Sequence, residues 1–205
     1  MSSHETEAEL STPRVIRLAG QGEPTLLIST TANYVWVWSD KGSNASADCT
    51  VWRPTPTDPS FMIIGDYAQG NYGKPTGSSL TVRAIGEDPL VPLLARPVGW
   101  NLVWTDRGSS GTYDGSIWAP VAPDGYLALG HVANAGYQAP EIDNYRCLRR
   151  DLVEITQVGN IIWADHHSHA NKDVTLYAID HVQNAFVAQA NYNPYQGTVH
   201  MIKGS

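Results

Sequence analysis

The chain has 205 residues with 20 acidic side chains against 13 Lys and Arg, giving a formal net charge of −7. A phosphate backbone demands a basic face, so this balance argues against nucleic acid as a partner. With 18 glycines, 13 prolines, 7 tryptophans, 10 tyrosines and a charged fraction of only 16%, the composition suits a turn-rich all-β protein and excludes a helical bundle.

Residues 1–13 are polar and acidic with nothing to bury, and read as a disordered N-terminal arm. They contain no apolar run of the kind a secretory signal peptide carries, and no later run is long enough to span a bilayer. The expectation is a cytoplasmic protein or one exported without a leader. Residues 14–205 are expected to form a single domain. The short apolar run 15–18 is read as an extra strand that closes the structure near the C-terminal repeat.

From residue 25 the chain repeats itself, and a repeat must be recognised before any other fold argument. In the first copy, 34–38 is a strand with Tyr34, Trp36 and Trp38 on one face and Val35 and Val37 on the other. The turn Asp40-Lys41-Gly42-Ser43 and strands 49–52, 61–64 and 80–85 follow. The second copy gives strands 100–104, 116–118, 126–129 and 145–148, with Asp124-Gly125 as a tight turn. The third gives 160–163, 174–177, 185–188 and 198–202.

The copies keep fixed offsets. Trp38-Ser39-Asp40-Lys41-Gly42-Ser43 matches Trp104-Thr105-Asp106-Arg107-Gly108-Ser109 and the worn Trp163-Ala164-Asp165-His166-His167-Ser168. Ten positions after each tryptophan stands Asp48, Asp114 or Asp173, and four further on Trp52, Trp118 or Tyr177. Gly65, Gly130 and Ala188 each open a loop, and Tyr72, Tyr137 and Tyr195 stand seven residues beyond. Three units, at about 25–89, 90–150 and 151–205, are therefore predicted. They form a β-prism of three pseudo-symmetric antiparallel four-stranded units, with a β-trefoil as the alternative.

The segments Trp104-Thr105-Asp106-Arg107-Gly108-Ser109, Asp114-Gly115-Ser116-Ile117-Trp118-Ala119-Pro120 and Gly125-Tyr126-Leu127-Ala128-Leu129-Gly130 resemble the motif set of the family named after vacuolar protein sorting protein 62. The resemblance covers about residues 33–205. It is weakest in the third copy, where His166-His167 replaces the basic-glycine pair and Ile179-Asp180 the proline segment. It implies a β-prism-like all-β domain. Similar domains occur fused to pore-forming toxin modules and in endosomal sorting proteins, which implies binding to membranes or glycans, and no catalytic residues carry over from it.

An aspartate kept in every copy is read as architectural: Asp40, Asp106 and Asp165, like Asp48, Asp114 and Asp173, pin turns through backbone N–H groups. The repeated aromatics are read as core. The loops after the third strands carry the candidate ligand site, with Asp66, Asn71 and Tyr72 in the first, His131, Asn134 and Tyr137 in the second, and Gln189, Asn191 and Tyr195 in the third. Planar rings beside amide and carboxylate groups suit a sugar, which offers hydroxyls and an apolar C–H face. His166, His167 and His169 are the candidates for a metal site, although a solvated turn is the plainer reading and no cofactor is expected. Cys49 and Cys147 are too few for a disulfide framework and read as buried free thiols.

The function expected is non-catalytic recognition of a glycan or glycolipid. One alternative is a membrane-associated toxin component or sorting adaptor that binds lipid or protein through an exposed apolar tip such as Phe61-Met62 or residues 90–94. The other is an enzyme with an internal pocket whose mouth is the 166–169 turn.

Overall fold

The computed structural model describes residues 13–17 and 22–205, so the predicted N-terminal arm lies, apart from Pro13, outside the described residues. Three three-stranded antiparallel sheets form the prism. They are Tyr34–Ser39, Thr50–Pro54 and Tyr67–Gln69; Gly99–Thr105, Gly115–Val121 and Val132–Ala135; and Val158–Ala164, Thr175–Ile179 and Val182–Gln189. In each, the second strand is central, and a β-bulge interrupts its pairing with the first.

The four strands of a repeat do not make one four-stranded sheet, contrary to the sequence-based expectation. The last strand of each leaves for a second sheet, of four, three and two strands in the three repeats. Ser79–Ile85 pairs with Thr25–Thr31, Cys147–Arg149 with Leu94–Ala95, and Val199–Ile202 with Val153–Thr156. The strand that precedes each tryptophan hairpin is thus used to partner the strand that ends the repeat. The extra strand Arg14–Arg17 pairs with Thr25–Ile28 of the first repeat and not with the C-terminal repeat. The adjacent strand is the nearer partner, and Val199–Ile202 is already paired. Even so, Arg14 Nη2 donates to the Gly204 carbonyl at 2.8 Å, so the two ends meet through a side chain. Among the described residues no helix is long and apolar enough to cross a membrane.

At the centre Trp38, Trp104 and Trp163 form a closed triangle, each at most 2% exposed. Their ring centroids lie 5.7, 5.9 and 5.8 Å apart with interplanar angles of 71, 67 and 76°, the edge-to-face geometry that the ring quadrupoles favour. Each indole N–H leaves its own repeat. Trp38 donates to the Tyr113 carbonyl at 2.9 Å, Trp104 to Lys172 at 2.6 Å and Trp163 to Ala47 at 2.8 Å. The backbone repeats the same cycle: Thr112 N–H donates to the Lys41 carbonyl, Asn171 to Arg107 and Ser46 to His166.

The turn aspartates fix the hairpin that carries each member of this ring. Asp40, Asp106 and Asp165 accept from the N–H groups of Cys49, Gly115 and Val174 at 2.7, 3.1 and 2.8 Å and from the hydroxyls of Ser43, Ser109 and Ser168. Gly42 and Gly108 take the left-handed region at φ 85 and 91°. In the worn copy His167 takes the same place at φ 68°, where a side chain costs about 1–2 kcal/mol of strain. The second cluster of apolar side chains, among them Leu26, Ile28, Val82, Leu93, Leu148 and Ile202, packs along these second sheets. Cys49 and Cys147 are both buried and free.

Candidate functional site

The three loops align by their hydrogen bonds. Thr50 and Thr175 hydroxyls donate to the carbonyls of Asn71 and Asn191 at 2.8 Å, and Ser116 donates to that of Gly136 at 2.6 Å. Gln69 and Gln189 each bond the asparagine two residues on. The tyrosines that follow these positions are Tyr72, Tyr137 and Tyr192. The third member is therefore Tyr192, three residues before the predicted Tyr195. Tyr195 instead packs edge-to-face on Tyr177, centroids 5.5 Å apart, at the margin of the core.

Each of the three phenols sits between two carboxylates. Tyr72 donates to Asp40 Oδ1 at 2.9 Å, Tyr137 to Asp114 Oδ1 at 3.0 Å, and Tyr192 to Asp165 Oδ1 at 2.9 Å. Partial burial, then the paired carboxylates, push all three phenol pKa values up, so the hydroxyls stay neutral donors. Burial also raises the pKa of Asp40 and Asp106, although each accepts a backbone N–H. Asp48, Asp114 and Asp173 are the exposed members of these pairs.

A basic residue follows each turn aspartate: Lys41, Arg107 or His166. The Arg107 guanidinium lies 3.9 Å over the Tyr137 ring, and the His166 ring stacks on Tyr192 at 3.9 Å and 35°. Among the described residues nothing stacks in this way on Tyr72, which is 42% exposed. The first cluster is the one whose ring carries no stacked basic side chain among the described residues, although Tyr192 is nearly as exposed at 39%.

The other predicted site residues divide between two roles. Asp66 is fully buried, held by Arg53 through Nε and Nη2 at 3.0 and 2.9 Å and by the Ala133 N–H at 2.9 Å. Desolvation raises its pKa against the pull of Arg53. His131 Nδ1 accepts the Ala188 N–H at 2.9 Å, and burial lowers its pKa to about 4, so it is neutral at pH 7. Asp66 and His131 are thus inter-repeat struts inside the prism. Asn71, Asn134, Gln189 and Asn191 bond within their own loops and set loop shape.

His167 Nδ1 meets the Ser46 hydroxyl at 2.6 Å while His166 faces Tyr192. Among the described residues no three His, Cys, Asp or Glu side chains gather as metal ligands. Sequence pattern did not single out Lys41, Arg107 or Tyr192. The motif Gln-x-Asn-Tyr, shared by 69–72 and 189–192, was the signal that finds Tyr192.

The geometry can be set beside known proteins. The solved structure of GNIP1Aa from Chromobacterium piscinae superposes with a TM-score of 0.72 at 30% sequence identity, over 83% of this chain and 34% of that one. This chain thus spans about a third of that protein's length. No curated protein matches. The family model of vacuolar protein sorting-associated protein 62 matches residues 14–193. On that match, the chain belongs to the vacuolar protein sorting-associated protein 62 family.

Proposed function

We propose that this β-prism is a non-catalytic recognition domain that binds a carbohydrate, free or as the headgroup of a glycolipid. The observation that carries the reading is the first cluster, whose ring carries no stacked basic side chain among the described residues. The Tyr72 ring is exposed, its hydroxyl is fixed on buried Asp40, and Lys41 and Asp48 are exposed in the same turn and loop. A rigid ring offers a stacking face for sugar C–H groups, and a carboxylate accepts from sugar hydroxyls. In the second and third clusters Arg107 and His166 cover a ring face, which leaves them a polar contribution. The resemblance to domains that accompany toxin and sorting modules supports the same reading.

The test is a glycan array followed by calorimetric titration of the best sugar. Tyr72→Ala is expected to weaken binding tenfold or more, and Tyr137→Ala and Tyr192→Ala less. Failure of every glycan to bind, or binding indifferent to all three substitutions, would sink the proposal. Lipid or protein binding through an apolar tip has a partial basis: Phe61 is buried, but Leu90 is 90% exposed and Val91 53%. Liposome flotation of wild type and Leu90→Ser separates the two readings, since glycan binding leaves flotation from sugar-free vesicles at background.

A further inference from the structure

A cleft of about 710 Å³ opens between the sheets of the first and third repeats, away from the tyrosine clusters. Its floor is Ile28, Leu80, Ile162, Ile179 and Val182, and Ala68 and Ala178 are also in its wall. Thr50 and Thr175 occupy equivalent positions, so Arg53 and Ala178, each three residues further, are counterparts. Likewise Ala68 is the counterpart of Ala133. The Arg53 side chain, paired with Asp66 of its own repeat, reaches across the seam between the first and second repeats to the Ala133 carbonyl, 2.6 Å away. Ala178 lines the cleft with only a methyl group where Arg53 carries a guanidinium, and Ala119 likewise has only a methyl group in the second repeat.

The cleft is also distinct in charge. In a chain of net charge −7, its lining side chains include Arg14 and His181 and no Asp or Glu. Arg14 spends one N–H on the Gly204 carbonyl and has further donors in its fork. His181 is exposed at the hairpin that joins Thr175–Ile179 to Val182–Gln189. One wall is fixed in advance: Asn184 donates to the Tyr34 hydroxyl at 3.0 Å and to the Thr76 carbonyl at 2.8 Å, and its own carbonyl accepts from Ser79. A pocket of this volume, apolar with a few convergent polar groups, has the character of a small-molecule site.

We propose that the cleft binds a small amphipathic carboxylate of the fatty-acid class, its acyl chain on the Ile28, Leu80, Ile162, Ile179 and Val182 floor and its carboxylate at Arg14 and His181. An arginine fork matches a carboxylate in geometry as well as charge, which selects an acid over an alcohol or ester of the same chain.

The test titrates the full chain with cis-parinaric acid, a fluorescent fatty acid, and displaces it with decanoate or decanol. One-to-one binding is expected. Arg14→Gln, an exposed change, weakens decanoate by about tenfold and leaves decanol unchanged. Ala178→Arg installs the side chain that its counterpart Arg53 carries and abolishes binding of both, with near-ultraviolet circular dichroism showing that the fold is kept. Should that variant misfold, Ile179→Asn, aimed at the floor, replaces it. The proposal is overturned by no binding to wild type, by binding that survives in a folded Ala178→Arg or Ile179→Asn protein, or by Arg14→Gln weakening acid and alcohol alike. It is also overturned if removal of residues 1–12 raises affinity more than about tenfold, which would make the chain's own N-terminal segment the occupant.

Discussion

Gly115→Ala is the most searching single change for the central ring. Gly115 lies at the start of a strand and has an ordinary negative φ, so alanine suits its backbone. The obstacle is the neighbour: a β-carbon at 115 would overlap Cδ1 and Nε1 of the Trp38 indole. Trp38 is 1% exposed and packed on two other tryptophans, so it has no free direction in which to withdraw. Overpacking alone costs about 1–3 kcal/mol. Displacing the indole also lengthens its bond to the Tyr113 carbonyl, worth about 1–3 kcal/mol once the acceptor is left unpaired. It loosens two edge-to-face contacts of about 0.5–1.5 kcal/mol each. These terms overlap, and we expect a net loss of about 3–5 kcal/mol, a large share of the total stability of a domain.

Urea unfolding followed by tryptophan fluorescence measures it, with Gly99→Ala as the control. A β-carbon at 99 meets nothing within 4 Å, and the control should fall within about 0.5 kcal/mol of wild type. The counterparts of Gly115 are Cys49 and Val174, both with β-carbons and both fully buried. The constraint therefore comes from where the Trp38 ring lies and not from the turn. A loss below about 1 kcal/mol, with an unchanged denaturant slope, would refute this account of the ring.

Three further outcomes are expected. His131, whose pKa of about 4 in the fold lies below the unfolded value of about 6.5, contributes stability that is full above pH 6.5 and lost as pH falls towards 4. The loss is at most about 3 kcal/mol. His131→Phe, the residue type at its counterpart Phe186, should be less stable at pH 7 because the Ala188 N–H loses its acceptor, yet show a flatter stability profile between pH 6.5 and 5; parallel profiles would count against the strut. His167→Gly should be neutral or stabilising by up to about 1 kcal/mol, whereas Gly108→His should destabilise, since a β-carbon there collides with Asn171; thermal unfolding of both variants decides. Burial pushes the Cys147 thiol up to about 12 and that of Cys49 well above its ordinary value, so neither should react with a thiol reagent in the native state and both should react in denaturant.

How far the sequence revealed the structure depended on chain distance. The tryptophan turn was legible because its partners lie within a dozen residues at constant offsets: Asp40 to Ser43 and Cys49 is one local motif. Tyr192 was missed because the third repeat reaches its last strand differently. Thr175–Ile179 turns directly into the eight-residue strand Val182–Gln189, whereas the first repeat spends residues 55–66 on the way to Tyr67–Gln69. Counting from Ala188 therefore slipped the register, since its counterparts are Ala68 and Ala133. Asp66 and His131 were read as loop residues because each stands beside small or aromatic neighbours in sequence. What buries them is the next repeat, whose Ala133 and Ala188 N–H groups come from more than fifty residues away. No local pattern marks Arg53 as a group that reaches into the next repeat.

The cyclic hydrogen bonding explains why the repeats vary where they do. The N–H of each of the three central tryptophans is satisfied by the following repeat, and every turn carbonyl at Lys41, Arg107 and His166 accepts from a neighbour. A single repeat alone would hold an indole donor with no acceptor, and two would leave the ring open, so these interactions stabilise only as a closed set of three. Residues that build that set are the same in every copy: the tryptophan touches both neighbours, and the aspartate and serine fix the turn within their own repeat. Side chains that point out of the ring carry no such obligation. Lys41, Arg107 and His166 share their backbone role, and their side chains differ. Arg53, Ala119 and Ala178 occupy one position of the central strands, and only Arg53 crosses a seam. The uncovered Tyr72 ring and the cleft beside Ala178 both arise at these unconstrained positions, so the same symmetry that fixes the core leaves recognition to the residues that break it.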